Sequence, residues 1–186
     1  MTATGLFNRL RATGLGIVHR IACTTLIVIV GAFQFCGFIG LRINASRSLP
    51  IGLYVTSSES RANLVEFCPS AAFGSLAMAR GYRGQGTCQD GGAPLLKPVV
   101  ARAGDLVDVS AQGIAVNGRL LPNTVPLQAD TKGRSLTAWQ SGRYIVAPDT
   151  VWVASSYNQR SFDSRYFGPV TSSAIRNHVR PLVTLP

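Results

Sequence analysis

Ala93-Pro-Leu-Leu-Lys-Pro-Val-Val-Ala101 is an apolar run carrying one ammonium group, Lys97. β-branched Val99 and Val100 and the flanking prolines read as a strand bounded by turns. Lys97 and Lys132 are the only lysines among the 18 basic side chains, the others being arginines. An arginine stays charged at neutral pH, whereas a lysine stripped of water by apolar neighbours can lose its proton and act as a base. Lys132 lies in the polar turn Asp130-Thr-Lys-Gly-Arg134, where it is expected to stay solvated. Leu95, Leu96, Val99 and Val100 are expected to desolvate Lys97. Read by itself, the segment also fits a lysine that snorkels from an edge strand.

Outward from this run, further strand signals dominate. Gly52–Thr56, Leu64–Phe67, Leu106–Val109, Tyr144–Ala147 and Val151–Ala154 are short and rich in β-branched and aromatic residues. Ile114–Leu121 reads as a hairpin, because Asn117-Gly118 tolerates the positive φ angles of a type I′ turn. One helix is expected over Ala71–Arg80, capped by Ser70, with Phe73, Leu76 and Ala77 on one face and Gly81 ending it. Gly84–Gly92 reads as a flexible surface loop. The predicted fold class is mainly β, with two antiparallel sheets or a twisted barrel, tethered by one N-terminal helix.

That tether is Ile21–Leu41, a stretch without a charge. As a helix it reaches roughly 30 Å, the thickness of a bilayer core. It exceeds the apolar region of an ordinary cleaved signal peptide, and no small-x-small site follows it, so it reads as an uncleaved anchor. Arg9, Arg11 and Arg20 precede it with no acidic residue, which puts the N-terminus in the cytoplasm. The expected organisation is a cytoplasmic stretch 1–20, a single transmembrane span 21–41 in a bacterial inner membrane, and a periplasmic domain 42–186. Cys23 and Cys36 fall in the span. Cys68 and Cys88 form the remaining pair, able to join across a loop of about 20 residues, worth roughly 3 kcal/mol, or to stay as two thiols.

The formal charge of +10 invites a nucleic-acid reading. The arginines of the exported part are scattered, however, and aromatic residues do not interleave with them for stacking. A basic surface facing anionic lipid headgroups is the simpler account, and no nucleic-acid partner is expected. No His/Cys/Asp cluster has metal-ligand spacing and no glycine-rich phosphate loop appears, so neither metal nor cofactor is expected. A Ser-His-Asp triad would need His178, which has no flanking motif.

Three blocks carry the chemistry. The first is Ser46-Arg-Ser-Leu-Pro-Ile-Gly-Leu-Tyr54, where a serine precedes a Pro/Gly turn into a strand. The second runs from Lys97 to Gly104-Asp105. The third is Ser161-Phe-Asp-Ser-Arg-Tyr-Phe-Gly-Pro-Val170, a dense polar cluster. A serine hydroxyl is a poor nucleophile until a neighbour takes its proton, and a neutral amine can do so and then protonate a leaving amine.

Together the blocks resemble the type I signal peptidases, and more closely their conjugative-transfer branch (TraF-type), which matures pilin precursors. The likeness runs in order and spacing from Ile21 to Val170, with residues 66–94 as a variable insert. It implies Ser48 as nucleophile and Lys97 as general base. It implies that Ser161 orients the lysine, that Asp163 and Arg165 form a supporting ion pair with Ser164 close by, and that the Ser46 hydroxyl joins the Ser48 backbone N–H in an oxyanion hole. A carboxylate touching the lysine would restore its charge, so Asp163 is expected on Arg165 instead. The chain departs from the family pattern at Pro98, where a backbone donor is usual, and at Ala103. The implied activity is membrane-anchored serine endopeptidase cleavage of a membrane-associated precursor, a pilin, with cyclisation by a peptide amine as a variant outcome. A general leader peptidase acting on secreted preproteins and a non-catalytic transfer-apparatus assembly factor are the alternatives.

Overall fold

The computed structural model of the protein describes residues 18–31 and 40–185. Contacts divide the chain into two units, Met1–Leu41 and Arg42–Pro186. In the first, helix α1 covers 18–31, and its side chains are exposed. Among the described residues no helix is long and apolar enough to cross a membrane. Residues 32–39 of the expected 21–41 span lie outside the described residues.

The second unit is built on two sheets. Strands β1 (Leu41–Asn44), β2 (Gly52–Ser57), β3 (Leu64–Phe67), β4 (Leu95–Arg102), β9 (Thr150–Val153), β10 (Val170–Thr171) and β11 (Ile175–Thr184) form the larger, in the order β1-β2-β11-β3-β4-β9-β10. Strands β5 (Leu106–Ser110), β6 (Gly113–Val116), β7 (Arg119–Leu120) and β8 (Gly142–Ile145) form the smaller, in the order β7-β6-β5-β8. The β6–β7 hairpin turns at Asn117 (φ 50°) and Gly118 (φ 81°), both in the left-handed region that this dipeptide tolerates.

The expected strands are present within a residue or two of their ends. β11 was not among them. Its sequence Ile-Arg-Asn-His-Val-Arg-Pro-Leu-Val-Thr is interrupted by polar side chains, yet it pairs with both β2 and β3 and so joins the N-terminal and central strands. Val179 is its one buried residue, packing with Leu49 and Tyr54.

Helix α2 spans Ala71–Ala79, with Ser70 at its N-cap position. The Ser70 side chain makes no capping hydrogen bond, so the expected cap is positional only. Gly81 (φ 69°) turns the chain out of the helix, as expected. The following segment is more tightly held than its polarity suggests. A Cys68–Cys88 disulfide closes it, Cys88 N–H donates to Gly92 O (3.0 Å), and a buried Arg83 guanidinium pairs with Asp90.

Three buried clusters carry the packing around the site, the smallest being Leu49, Tyr54 and Val179. Val65, Phe67, Leu95, Val153, Phe162, Tyr166 and Phe167 form the main core, with Phe73 and Leu76 of α2 against it. Val107, Ile114 and Trp152 anchor a second one beneath the smaller sheet. The short helix α3 (Ser164–Phe167) sits wholly buried beside the main core. Gly168 ends it at φ 72°, and a side chain there would strike the Trp139 ring, with 2.6 Å between its Cβ and Trp139 Cε2.

Candidate active site

Strand β4 lies between β3 and β9, not at an edge, and Lys97 on it is only 4 % exposed. The snorkelling alternative therefore does not hold: the ammonium is inside. Register puts Lys97 opposite Val65, which is fully buried. Alternation along the strand divides the expected apolar neighbours between faces. Leu95 and Val99 pack with the main core, whereas Leu96 packs with Leu49 and Tyr54, and Val100 packs with the second core. Burial pulls the Lys97 amine down from its ordinary range to about 8; Asp163 opposes that shift and Arg165 adds to it.

Pro98 interrupts nothing. Its carbonyl accepts from Ala154 N–H (3.1 Å), one residue beyond the end of β9, so its missing donor falls where the neighbouring strand has finished. On the other side Val99 N–H donates to Asn63 O (2.8 Å).

Ser48 sits in the turn between β1 and β2, half-buried. Its Oγ lies 2.5 Å from Lys97 Nζ. Lys97 Nζ also donates to Ser161 Oγ at 2.9 Å. Forty-nine residues separate the first pair and 64 the second, so only the fold makes this contact.

The turn itself is shaped by Asn44 at the end of β1, a residue the sequence reading did not single out. Its Nδ2 donates to the carbonyls of Ser46 (3.0 Å) and Pro50 (3.0 Å), while its Oδ1 accepts the Ser46 N–H (3.1 Å). Tyr54 O–H adds a bond to Pro50 O (2.6 Å). The Ser46 hydroxyl donates to Asn44 Oδ1 at 2.8 Å, so its one proton is directed at the turn rather than at the space beside Ser48. Among the described residues the Ser48 backbone N–H has no acceptor.

Asp163 and Arg165, both buried, form a two-pronged pair: Nε to Oδ1 at 2.8 Å and Nη2 to Oδ2 at 2.7 Å. Asp163 also accepts the N–H of Ser155 (3.0 Å) and of Arg165 (3.2 Å), so its lone pairs are used without touching the lysine. Arg165 Nη1 donates to the carbonyls of Asn123 (2.7 Å) and Gln159 (2.8 Å). Ser164 Oγ accepts the Val153 N–H (2.9 Å), fixing α3 to β9. Ser155 is the second unforeseen residue. Fully buried, it donates its hydroxyl to Ser48 O at 2.6 Å.

Asp105 of the Gly104-Asp105 match stands apart, accepting Arg102 N–H (2.8 Å) and Asn117 Nδ2–H (2.9 Å) as a brace between turns. His178 lies on β11 opposite Val65, two strands from Lys97, and no hydrogen bond links it to Ser48 or Asp163. Among the described residues no group of three or more His, Cys, Asp or Glu side chains is arranged to hold a metal ion.

A cleft of about 200 Å³ opens over Ser48 and Lys97. Leu95, Leu127, Leu136, Phe162 and Tyr166 make it largely apolar, and Tyr82, Asp130 and Arg160 add polar groups. Tyr82 comes from the disulfide-closed segment: its ring stands 5.3 Å from Phe162 and its O–H donates to Asp130 Oδ2 (2.6 Å). A hydroxyl, an amine of lowered basicity, an amide N–H aimed at no acceptor and an apolar slot are the parts an acyl-transfer site needs.

The chain is a member of the signal peptidase family, peptidase S26, whose profile matches residues 15–183. Within that class it is 40 % identical over 174 residues to the plasmid transfer protein TraF of Escherichia coli, covering 90 % of this chain and 98 % of that one. A probable conjugal transfer protein TraF of Sinorhizobium fredii is 33 % identical over 166 residues, covering 87 % and 86 %. Among solved structures, a signal peptidase I from Enterococcus faecalis aligns with a TM-score of 0.35 and 17 % identity, over 66 % of this chain and 97 % of that one.

Proposed function

We propose that this chain is a serine endopeptidase that uses Ser48 and Lys97 to cut a membrane-associated precursor, the pilin of a conjugative transfer system. The observation that carries the chemistry is the 2.5 Å separation of Ser48 Oγ and Lys97 Nζ inside a buried, largely apolar site. The identity to plasmid transfer proteins over nearly the whole chain supports the conjugative setting.

In the neutral form Lys97 Nζ accepts the Ser48 proton while two N–H bonds remain, one directed to Ser161. Ser48 Oγ then attacks the scissile carbonyl carbon. The oxyanion meets the free Ser48 N–H, and the Ser46 hydroxyl joins it by rotating away from Asn44; one such donor is worth roughly 3 to 4 kcal/mol to the transition state. The lysine returns its proton to the leaving amine. Water or an incoming peptide amine resolves the acyl-enzyme. The apolar segment 21–41 anchors the chain in the inner membrane, N-terminus cytoplasmic. The few residues between it and Ser48 hold the nucleophile near the periplasmic bilayer surface, where anionic headgroups meet a basic domain.

The test is precursor processing in cells carrying Ser48→Ala or Lys97→Ala. Each is expected to accumulate as folded protein while the pilin precursor stays uncut, shown by mass spectrometry of the pilin. Processing at the normal rate in either variant refutes the assignment. Broad accumulation of secreted precursors in a deletion strain, rather than loss of conjugation alone, moves the client from the pilin to preproteins in general.

A further inference from the structure

Three side chains with ionisable charge line the cleft: Lys97, Asp130 and Arg160. Lys97 is occupied with Ser48 and Ser161. Asp130 is saturated, accepting Tyr82 O–H (2.6 Å), Arg134 Nε–H (2.7 Å) and the N–H groups of Lys132 (2.9 Å) and Arg134 (3.0 Å). Arg160 differs. Its backbone N–H donates to Asn158 Oδ1 (2.9 Å), but its guanidinium has no hydrogen bond or ion pair among the described residues. Asp130, the one carboxylate in the lining, is already paired with Arg134 and leaves Arg160 without a counter-ion.

The root of that side chain is fixed. Ser161 N–H closes the turn onto Asn158 O (3.1 Å), Arg165 donates to the carbonyls of Gln159 (2.8 Å) and Asn158 (3.4 Å), and Asn158 N–H reaches Ser155 Oγ (3.2 Å). The residues that hold Lys97 and Ser48 thus also hold the backbone of residues 158–161, and Arg160 projects from it. A cation on a pinned backbone loses less freedom on meeting a ligand than one on a mobile loop. Its planar fork matches a carboxylate in two-pronged fashion, which neither an amide nor an ammonium can reproduce.

We propose that Arg160 is a specificity-determining residue, selecting peptides that carry Asp or Glu at one position flanking the cut through its place in the same cleft as Ser48 and Lys97. This rests on the peptidase reading above and adds to it the charge class of the substrate. Arg160 is exposed at the rim of the cleft, so an amide at that position leaves the guanidinium to water and forfeits the bond between charged groups, and a lysine there is repelled.

The experiment uses the full chain in detergent micelles with a randomised decapeptide library, cleavage products being sequenced by mass spectrometry, followed by matched peptides bearing Glu, Gln or Lys at the selected position. The wild type is expected to enrich acidic residues at one position and to prefer Glu over Gln by about tenfold in kcat/KM, as suits a hydrogen bond between charged groups. That ratio is expected to fall to about one in Arg160→Gln and to turn in favour of Lys in Arg160→Glu, with melting temperatures unchanged. A wild type that cuts in a Ser48-dependent way without acidic preference overturns this inference and leaves the peptidase reading intact. So does a preference that survives both substitutions. A chain that cuts no library peptide, or whose cutting survives Ser48→Ala, brings down the peptidase reading and this inference with it.

Discussion

The Ser155 hydroxyl donates to the carbonyl oxygen of Ser48 across 2.6 Å, joining the end of β9 to the β1–β2 turn 107 residues away. Ser155 N–H is in turn held by Asp163, and Ser155 Oγ accepts from Tyr157 and Asn158. A single buried serine therefore transmits the position of the Asp163–Arg165 pair to the backbone of the proposed nucleophile. Ser155→Ala leaves the Ser48 carbonyl short of a partner, at a cost of about 1 to 2 kcal/mol. We expect kcat to drop roughly tenfold or more, because small misplacements of a nucleophile are expensive, with KM little changed. Steady-state kinetics separate the two; a pure KM effect contradicts a positioning role.

The lowered basicity of Lys97 fixes a pH dependence. Only the unprotonated amine can take the Ser48 proton, so kcat/KM is expected to rise through pH 8, the value to which burial brings this amine, and to level off above it. Substituting Val65, which faces Lys97 from β3, by Thr eases the desolvation that is the largest cause of the shift, and is expected to move the midpoint upward. A profile flat from pH 6 to 9 is incompatible with Lys97 as the base.

Asp163 and Arg165 are almost wholly withdrawn from water, at 0 % and 1 % side-chain exposure. Removing one partner of such a pair strands the other, at a typical cost of 3 to 5 kcal/mol. Arg165→Met is therefore expected to lower stability by about that much, and Asp163→Asn, which keeps some hydrogen bonds, by less. Denaturant unfolding gives the comparison. Asp163→Asn also removes the negative charge that holds the Lys97 amine's basicity up, so the activity midpoint is expected to shift below that of the wild type.

Most of the framework was legible in the sequence because β-branched runs bounded by turns report strands directly, as at Leu64–Phe67 and Leu106–Ser110. β11 was not, because its stability comes from pairing with β2 and β3 on both sides rather than from an apolar face of its own. The polar stretch Gly84–Gly92 lies at the surface as its composition indicates, but it is more tightly held than expected: the Cys68–Cys88 pairing, one of two states the sequence left open, and a buried Arg83–Asp90 pair fasten it. At the site, the side chains with chemistry stood out as residue types in three blocks. Asn44 and Ser155 did not, since an asparagine ending a strand and a serine after one are unremarkable until the fold shows which backbone groups they hold. Ser46 illustrates the converse, its hydroxyl turned to Asn44 where the motif directs it to the oxyanion.

A final prediction concerns the stability lost by burying Lys97. Its amine titrates near 8 in the folded protein against 10.5 when unperturbed, so below pH 8 the folded state must hold a charge that prefers water. Lys97→Met removes that burden while keeping an unbranched side chain on β4. The gain at neutral pH is at most about 3 kcal/mol, less whatever the bonds to Ser48 and Ser161 contribute. The sign follows from proton counting. Between pH 8 and 10.5 the unfolded chain binds more protons at this site than the folded one, so wild-type stability rises with pH and the advantage of the variant shrinks across that window. Below pH 8 both states are protonated and the difference is constant. Paired unfolding curves at pH 7 and pH 10 measure this: a gap that is equal at both, or that widens at pH 10, shows that the amine is not desolvated in the folded protein.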